Sequence, residues 1–344
     1  MMMDGMQISH NPHHRDIDKI DEWLYLGNQY GATNAQTLSA LHITDILTVM
    51  SAPIDAAQRI AGIRYHHIAA EDNSSQDLLS HFNRAYDTIE GCRRLGCSIL
   101  VHCRVGVSRS ATIIIGYIMR KRRQPLYLAL EWVKTRRPII HPNREFKSQL
   151  RLFERMGYRL NANNRQFREL LLRVYANRQR LDEYFERRAI VESQTPDLAY
   201  GQQLVCKDCG FALFSQIHIH RDYEEIHSRS ESSSSGEAST AAPVAGKMGN
   251  DSKCQRIYIE PQEWMAWELS QCQHSYGMVK CRCDALVAEY DVWTPGALAT
   301  PDRLPATPQR HHCFKIRVLD KSFKFENNSI FIFDTNNNSR FNFR

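Results

Sequence analysis

No apolar run in this 344-residue chain approaches the roughly 18 residues that a membrane-spanning helix needs, so no membrane span is expected. Residues 1–19 lack the apolar core of a secretory signal, and no glycine follows the first Met for myristoylation. Neither export nor a lipid anchor is expected. Neither sign of charge dominates: 44 Lys and Arg against 38 Asp and Glu leave +6, too mild to argue for nucleic acid. Cysteine is scarce in the first 205 residues, with Cys92, Cys97 and Cys103 alone, whereas Cys206, Cys209, Cys254, Cys272, Cys281, Cys283 and Cys313 crowd the rest. Thiols stay reduced in a chain that is not exported, so clustered cysteines read as metal ligands or catalytic groups. The apolar and charged fractions, 42% and 24%, are those of an ordinary globular protein, and the length suits two folded units.

Residues 1–19 read as a disordered lead. Strands are then expected at Glu22–Leu26, Ile43–Val49, Ile63–Ile68 and Ser98–Val101. Helices are expected at Ala35–Leu41, Asp77–Leu95, Ala111–Arg123, from Pro125 to about Arg136, and at Arg144–Met156. In the second of these, Leu78, Leu79, Phe82, Tyr86, Ile89 and Cys92 repeat at helical intervals, and Ser74–Asp77 has the form of a capping box. Strands alternating with helices predict an α/β layer fold over residues 20–158. Residues 159–203 hold a run of Arg with apolar residues at helical spacing and read as a basic helical connector. A second unit is expected over 204–313, interrupted at 228–249, where seven of the twelve residues 228–239 are Ser. Residues 314–344, Asn-rich from Asn327, read as a degenerate or disordered tail.

The strongest local signal is His102-Cys103-Arg104-Val105-Gly106-Val107-Ser108-Arg109-Ser110, after an apolar strand and at the start of a helix. A thiol at the end of a strand is cradled there by the amides of residues 104–109, with Gly106 supplying the freedom to turn. The helix N-terminus adds positive potential, and such surroundings lower a cysteine pKa from about 8.5 to roughly 3.5–7.5. Arg109 can fork onto two phosphate oxygens, Ser110 can donate to the sulfur, and His102 suits orientation of the loop better than proton transfer. The pattern His-Cys-x-x-Gly-x-x-Arg-Ser/Thr resembles the signature loop of the cysteine-dependent protein tyrosine phosphatases. Further similarity, at Glu22–Gly27, Ile46–Thr48, Asp77–Phe82 and Asn143–Gln149, is to their dual-specificity branch.

That resemblance implies a shallow pocket admitting phosphoserine, phosphothreonine and phosphotyrosine. It implies Cys103 as nucleophile and residues 104–109 as the phosphate cradle. It also implies an acid about thirty residues before the cysteine. Asp72 fits that place, Glu71 competes for it, and Asp77 is the capping residue. Asn143 matches a loop-supporting position, or is an ordinary helix cap. No Lys occupies the loop, which disfavours an inositol-lipid substrate.

In the second half, Cys206-x-x-Cys209 is a zinc knuckle whose shell His218, His220 or His227 and Cys254 are candidates to close. The residues around it, Phe211–Phe214, Tyr258–Pro261 and Trp264-Met265, resemble the zinc domain carried by the dual-specificity phosphatase twelve type. This implies structural Zn²⁺ on Cys206, Cys209, His220 and Cys254. Lys280 stands where that family has a further cysteine, so a second site would need Cys281 and Cys283 to regroup with Cys272 or Cys313. The expectation is an α/β phosphatase domain, a central sheet flanked by helices, with a small C-terminal zinc-binding domain and no catalytic cofactor. Its implied partners are phosphorylated proteins, including mitogen-activated protein kinases, and its implied location is cytoplasm and nucleus. The alternative is a zinc-module binding protein in ribosome assembly, with pre-ribosomal particles as partners.

Overall fold

A computed structural model describes residues 15–176, 179–220, 258–271, 276–293, 313–319 and 323–325. The chain divides into two compact units, residues 1–161 and 162–344. In the first, a five-stranded sheet runs in the order β1 (Ile17–Asp21), β2 (Leu24–Gly27), β5 (Ser98–His102), β3 (Ile43–Met50), β4 (Arg64–Ala69). β1 is antiparallel to β2, and the remaining pairs are parallel. β5 lies at the centre, and its Ile99-Leu100-Val101 run is buried, as a strand covered on both faces requires.

The first edge of this sheet corrects the expected lead. Ile17 and Ile20 are buried, and Ile17–Lys19 register against Gly27–Tyr25, so the chain is ordered well before residue 20. The polar Asp18 and Lys19 between them hid a short edge strand. Two small helices, α1 (Gln29–Thr33) and α2 (Ala35–Ala40), follow β2, each started by an Asn side chain that accepts an amide.

The expected helix over 77–95 begins later, as α3 (Phe82–Arg94), behind a 3₁₀ turn at Leu79–His81. Asp77 is buried and its Oδ1 accepts the Ser80 amide at 3.0 Å, so the capping acceptor serves the tighter turn. α4 (Arg109–Arg122) runs from the end of the signature loop through the core, with Arg109–Met119 buried without a polar face. It packs against α3, α5 (Leu126–Arg136) and α6 (Arg144–Arg155). A Cβ on Gly116 would meet the Phe82 ring at 3.0 Å, which is why α3 and α4 approach so closely there.

The second unit begins earlier than expected. The connector over 159–203 forms α7 (Arg165–Tyr175) and α8 (Leu181–Ser193), whose apolar faces are buried. Arg168 is buried with them, ion-paired to Glu260 at 2.7 Å, and the Tyr184 hydroxyl donates to the same carboxylate at 3.1 Å. The arginines that read as a solvated charge run thus include a structural cation.

β6 (Gln203–Cys206), β7 (Ala212–Ser215) and β13 (Phe323–Phe325) form one small sheet. β10 (Tyr276–Lys280), β11 (Leu286–Trp293), β12 (Cys313–Val318), β9 (Tyr258–Ile259) and β8 (Ile219–His220) form another. A short helix, α9 (Ala266–Gln271), completes the unit. Residues 314–318 and 323–325, expected in a tail, are therefore in sheet strands: Ile316 and Val318 are buried, and β13 pairs with the strand carrying Cys206. The Ser-rich insertion and the Asn-rich stretch from Asn327 lie outside the described residues.

Candidate active site

Cys103 follows β5 directly and is buried, at the C-terminal end of a parallel strand where an open α/β sheet places ligands. Two donors meet its sulfur: the Gly106 amide at 3.3 Å and the Ser110 hydroxyl at 3.2 Å. The amides of Arg104, Val105, Val107 and Ser108 have no acceptor among the described residues. Orphan amides around one thiol, at the head of α4, make a concavity suited to an anion.

Gly106 turns the loop with φ +74°, and a Cβ there would meet the Gly27 carbonyl oxygen at 2.5 Å. Only glycine fits this position. His102 is buried, its Nε2 2.8 Å from Thr48 Oγ1 and its Nδ1 3.3 Å from the Cys103 carbonyl oxygen. Burial lowers its pKa to about 4, so the imidazole is a neutral strut between β3 and the loop.

Arg109 is 9% exposed, and its Nη1 donates to the Ala70 carbonyl at 3.0 Å. Its Nε is buried without a hydrogen-bond acceptor and lies 3.7 Å from Asp72 Oδ2. Asp72 arrives from the segment after β4. Its Oδ1 accepts from the Ser108 hydroxyl at 2.8 Å and from Asn143 Nδ2 at 2.9 Å. Glu71 is exposed and bonded instead to Asn73 Nδ2, so of the two candidate acids Asp72 is the one at the loop.

Asn143 has two jobs at once. Its Oδ1 caps α6 by accepting the Phe146 amide at 2.9 Å, while its amide nitrogen holds Asp72 and its backbone N–H donates to Ser108 Oγ at 3.2 Å. Both readings of this residue describe the same side chain.

Two supports were not found from the sequence. Arg137 is fully buried and donates from Nε to the Gly106 carbonyl at 2.9 Å and from Nη2 to the Val105 carbonyl at 3.3 Å. Asp18 holds it at 2.6 Å. Nothing in Arg136-Arg137-Pro138 announces a clamp, because its partners come from distant segments. Gln149 accepts the Leu78 and Leu79 amides and donates to the Gln76 carbonyl, fixing the chain just after the acid loop. A buried amide on a helix face was its only signal.

In the second unit, the sulfurs of Cys206, Cys209, Cys281 and Cys283 lie within 4.8 Å of one another. Cys206 and Cys283 are 3.8 Å apart, and Cys209 and Cys281 are 3.5 Å apart. A tetrahedron of thiolates at about 2.3 Å from zinc has edges of about 3.8 Å, so this donor set fits the ion. Two tight turns present the sulfurs. Gly210 at φ +70° returns its amide to the Cys206 carbonyl, and Asp284 at φ +64° does the same to Cys281. The Phe211 amide holds the Cys209 thiol down to about 6, toward the thiolate that a metal needs.

The resemblance implied His220 and Cys254 as the partners of Cys206 and Cys209, and left Cys281 and Cys283 to an incomplete second site. Among the described residues it is the second pair that joins the first. Cys254 and the His220 side chain lie outside the described residues. A further trio, Asp45, His66 and Cys92, is clustered too, but Arg64 already forks onto both Asp45 oxygens at 2.9 and 2.7 Å.

Residues 24–156 match the family model of the dual specificity phosphatase catalytic domain. The dual specificity protein phosphatase MPK-4 of Drosophila melanogaster is 35% identical over 214 residues, covering 59% of this chain and 54% of that one. Human dual specificity protein phosphatase 1 is 42% identical over 137 residues, covering 40% and 36%. The chain therefore spans about half or less of these relatives' own length. A stretch of 59% is longer than residues 1–156, so the likeness to the fly protein runs on into the second unit. Among solved structures, the Yvh1 phosphatase domain from Chaetomium thermophilum is 30% identical, covering 41% of this chain and 96% of that one, with a TM-score of 0.38. The domain match and the relatives support a catalytic domain of the dual specificity phosphatase type over residues 24–156, of mixed α/β fold with its central sheet flanked by helices.

Proposed function

We propose that this protein hydrolyses phosphotyrosine and phosphoserine or phosphothreonine in proteins through a cysteinyl-phosphate intermediate. One observation carries the reading: Cys103 accepts from the Gly106 amide and the Ser110 hydroxyl, in a loop whose Arg109 lies 3.7 Å from Asp72. The Cys103 thiolate attacks phosphorus as the bond to the leaving oxygen breaks, and Asp72 gives that oxygen its proton. The loop amides and Arg109 bind the equatorial oxygens, whose charge is spread in the transition state. Water then attacks the phosphorus with Asp72 as base. The phosphorus–sulfur bond breaks, the Ser110 hydroxyl stabilises the departing thiolate, and phosphate leaves.

No metal enters these steps. Zn²⁺, where bound, would be held by Cys206, Cys209, Cys281 and Cys283, and its chemistry is to cross-link two turns of the second unit. Mitogen-activated protein kinases are the substrate class that the resemblance implies.

Cys103→Ser keeps the cradle but removes the thiolate. It should cut hydrolysis of phosphotyrosine and phosphothreonine peptides by roughly 10⁴-fold or more. Mass spectrometry of quenched wild-type turnover should find one phosphoryl group on Cys103. Activity surviving in the Ser variant would overturn the covalent route.

A further inference from the structure

The far end of α4 from the signature loop carries a second, unassigned concavity. Tyr86, Arg120, Lys121, Arg123, Tyr158 and Arg159 line a cavity of about 280 Å³, at the small end of ligand pockets. Four cations and two phenols face it, and no carboxylate is among its lining. Lys121 is neutralised by Glu90 at 2.6 Å. The three arginines are not. Arg120 stacks at 3.9 Å over the Tyr86 ring and donates to Asn83 Oδ1 at 2.9 Å. Arg123 reaches only the Gly157 carbonyl at 3.4 Å, and Arg159 has no partner among the described residues.

The ordinary explanation covers part of this. Cations close to a helix C-terminus meet the partial negative charge of its last carbonyls, which accounts for Arg120 and Lys121 in the last turn of α4 and for Arg123 capping it. Arg159 is not on that helix. It arrives after α6, through a reversal in which Gly157 and Tyr158 both take left-handed backbone, φ +70° and +65°. A Tyr in that conformation is costly, and here it turns a further guanidinium toward like charges. Burial pushes the Arg120 guanidinium below its ordinary value. Tyr86 and Asp87 pull it back, and Arg159 and Arg123 add to the depression. Unpaired cations gathered against their own repulsion are compensated by an anion that reaches all of them.

We propose that this pocket binds a phosphate dianion, either a phosphorylated side chain or free phosphate, as a site separate from Cys103. The fourteen residues of α4 set the two sites about 20 Å apart. Guanidinium forks from Arg123 and Arg159 grip the phosphate oxygens bidentately, Arg120 faces them from its stack on Tyr86, and the Tyr158 hydroxyl is a further donor.

The test is calorimetric titration of inorganic phosphate into the full chain. The wild type should bind two phosphates. Arg109→Ala, which disables the signature loop, should retain one. The pair Arg123→Asn and Arg159→Gln, on exposed side chains with Asn suited to the left-handed position, should weaken the remaining site by about tenfold or more. Hydrolysis of a small aryl phosphate should be unchanged by that pair, which establishes that the chain is folded. A phosphoserine peptide titrated into Arg109→Ala distinguishes the sources. Tighter binding than inorganic phosphate assigns the site to a phosphorylated protein, and equal or weaker binding assigns it to the free anion. A single phosphate per wild-type chain, or second-site binding indifferent to Arg123→Asn and Arg159→Gln, overturns the proposal.

Discussion

The two thiol sites are built on opposite plans. Around Cys103 one sulfur is served by groups from its own loop: Gly106 and Ser110 are three and seven residues away. In the second unit four sulfurs converge from turns more than seventy residues apart. The first arrangement is preorganised by the sheet behind it and by Arg137 and His102 beneath it, so it stands ready without a ligand. The second brings Cys206 and Cys281, both buried, against Cys209 and Cys283 in one cluster of acids. Burial pushes the Cys281 thiol up to about 12, and only a cation can gather four such groups as thiolates. On the proposed reading, the same element does chemistry where it is single and supported, and would hold a fold where it is multiple and cross-linked by a metal.

The largest effect that can break this contrast is metal removal. Structural zinc on four thiolates is worth about 10–16 kcal/mol in small zinc domains. Purified protein should carry about one zinc per chain. Chelation should unfold the second unit, read by loss of its protease resistance, while hydrolysis of an aryl phosphate changes less than about twofold. Cys281→Ser should act like the chelator. Activity that disappears with the metal would mean that the two units do not divide the work as argued.

The contrast also explains what could be read from the sequence. A site made by consecutive residues is visible as a motif, so Cys103, Arg109 and Ser110 were legible, and Asp72 nearly so. The helices from α4 to α6 were legible within two residues because their apolar repeats are long. What failed was non-local. Ile17–Asp21 is too short and polar to announce pairing, and Arg137 acquires its meaning only from Asp18 and the Gly106 carbonyl. Cys281 and Cys283 have no intervening pattern that ties them to Cys206, and His220 and Cys254 were implied by the resemblance to the zinc domain rather than by spacing. All of strand β12 after Cys313 was read as tail because its partner strands are distant in the chain.

Next in size is the acid. Asp72→Asn should slow cleavage of alkyl phosphates by roughly 10²–10⁴-fold, the usual worth of a positioned proton donor. Substrates whose leaving group needs no proton should lose much less. Glu71→Gln, on an exposed side chain, should leave the rate within about twofold. A larger loss from Glu71 would transfer the role one residue back.

His102 sharpens the comparison through pH. Its folded pKa is depressed by burial to about 4, below the ordinary 6.5, so the folded loop holds fewer protons than the unfolded chain. The corresponding stability is complete above pH 6.5 and is lost as the pH falls from 6.5 toward 4, by on the order of 3 kcal/mol. Denaturant unfolding of the catalytic unit should show this slope, and His102→Asn should flatten it. An unchanged slope would mean that another group titrates there.

The smallest effect tests how Asp72 is aimed. Ser108 Oγ donates to its carboxylate at 2.8 Å and accepts the Asn143 amide at 3.2 Å, which links the acid to the cradle and to the first turn of α6. Ser108→Ala removes the acceptor of the Asn143 amide and one hydrogen bond to Asp72, the latter worth about 1 kcal/mol to a group whose value lies in its direction. The expected loss in kcat is roughly 5-fold for alkyl phosphates and near nothing for activated aryl phosphates, with KM unchanged. The leaving-group dependence is the decisive readout, because a merely looser loop would slow both substrates alike. Equal losses would assign Ser108 to holding the loop, and the alkyl-specific loss assigns it to aiming the proton.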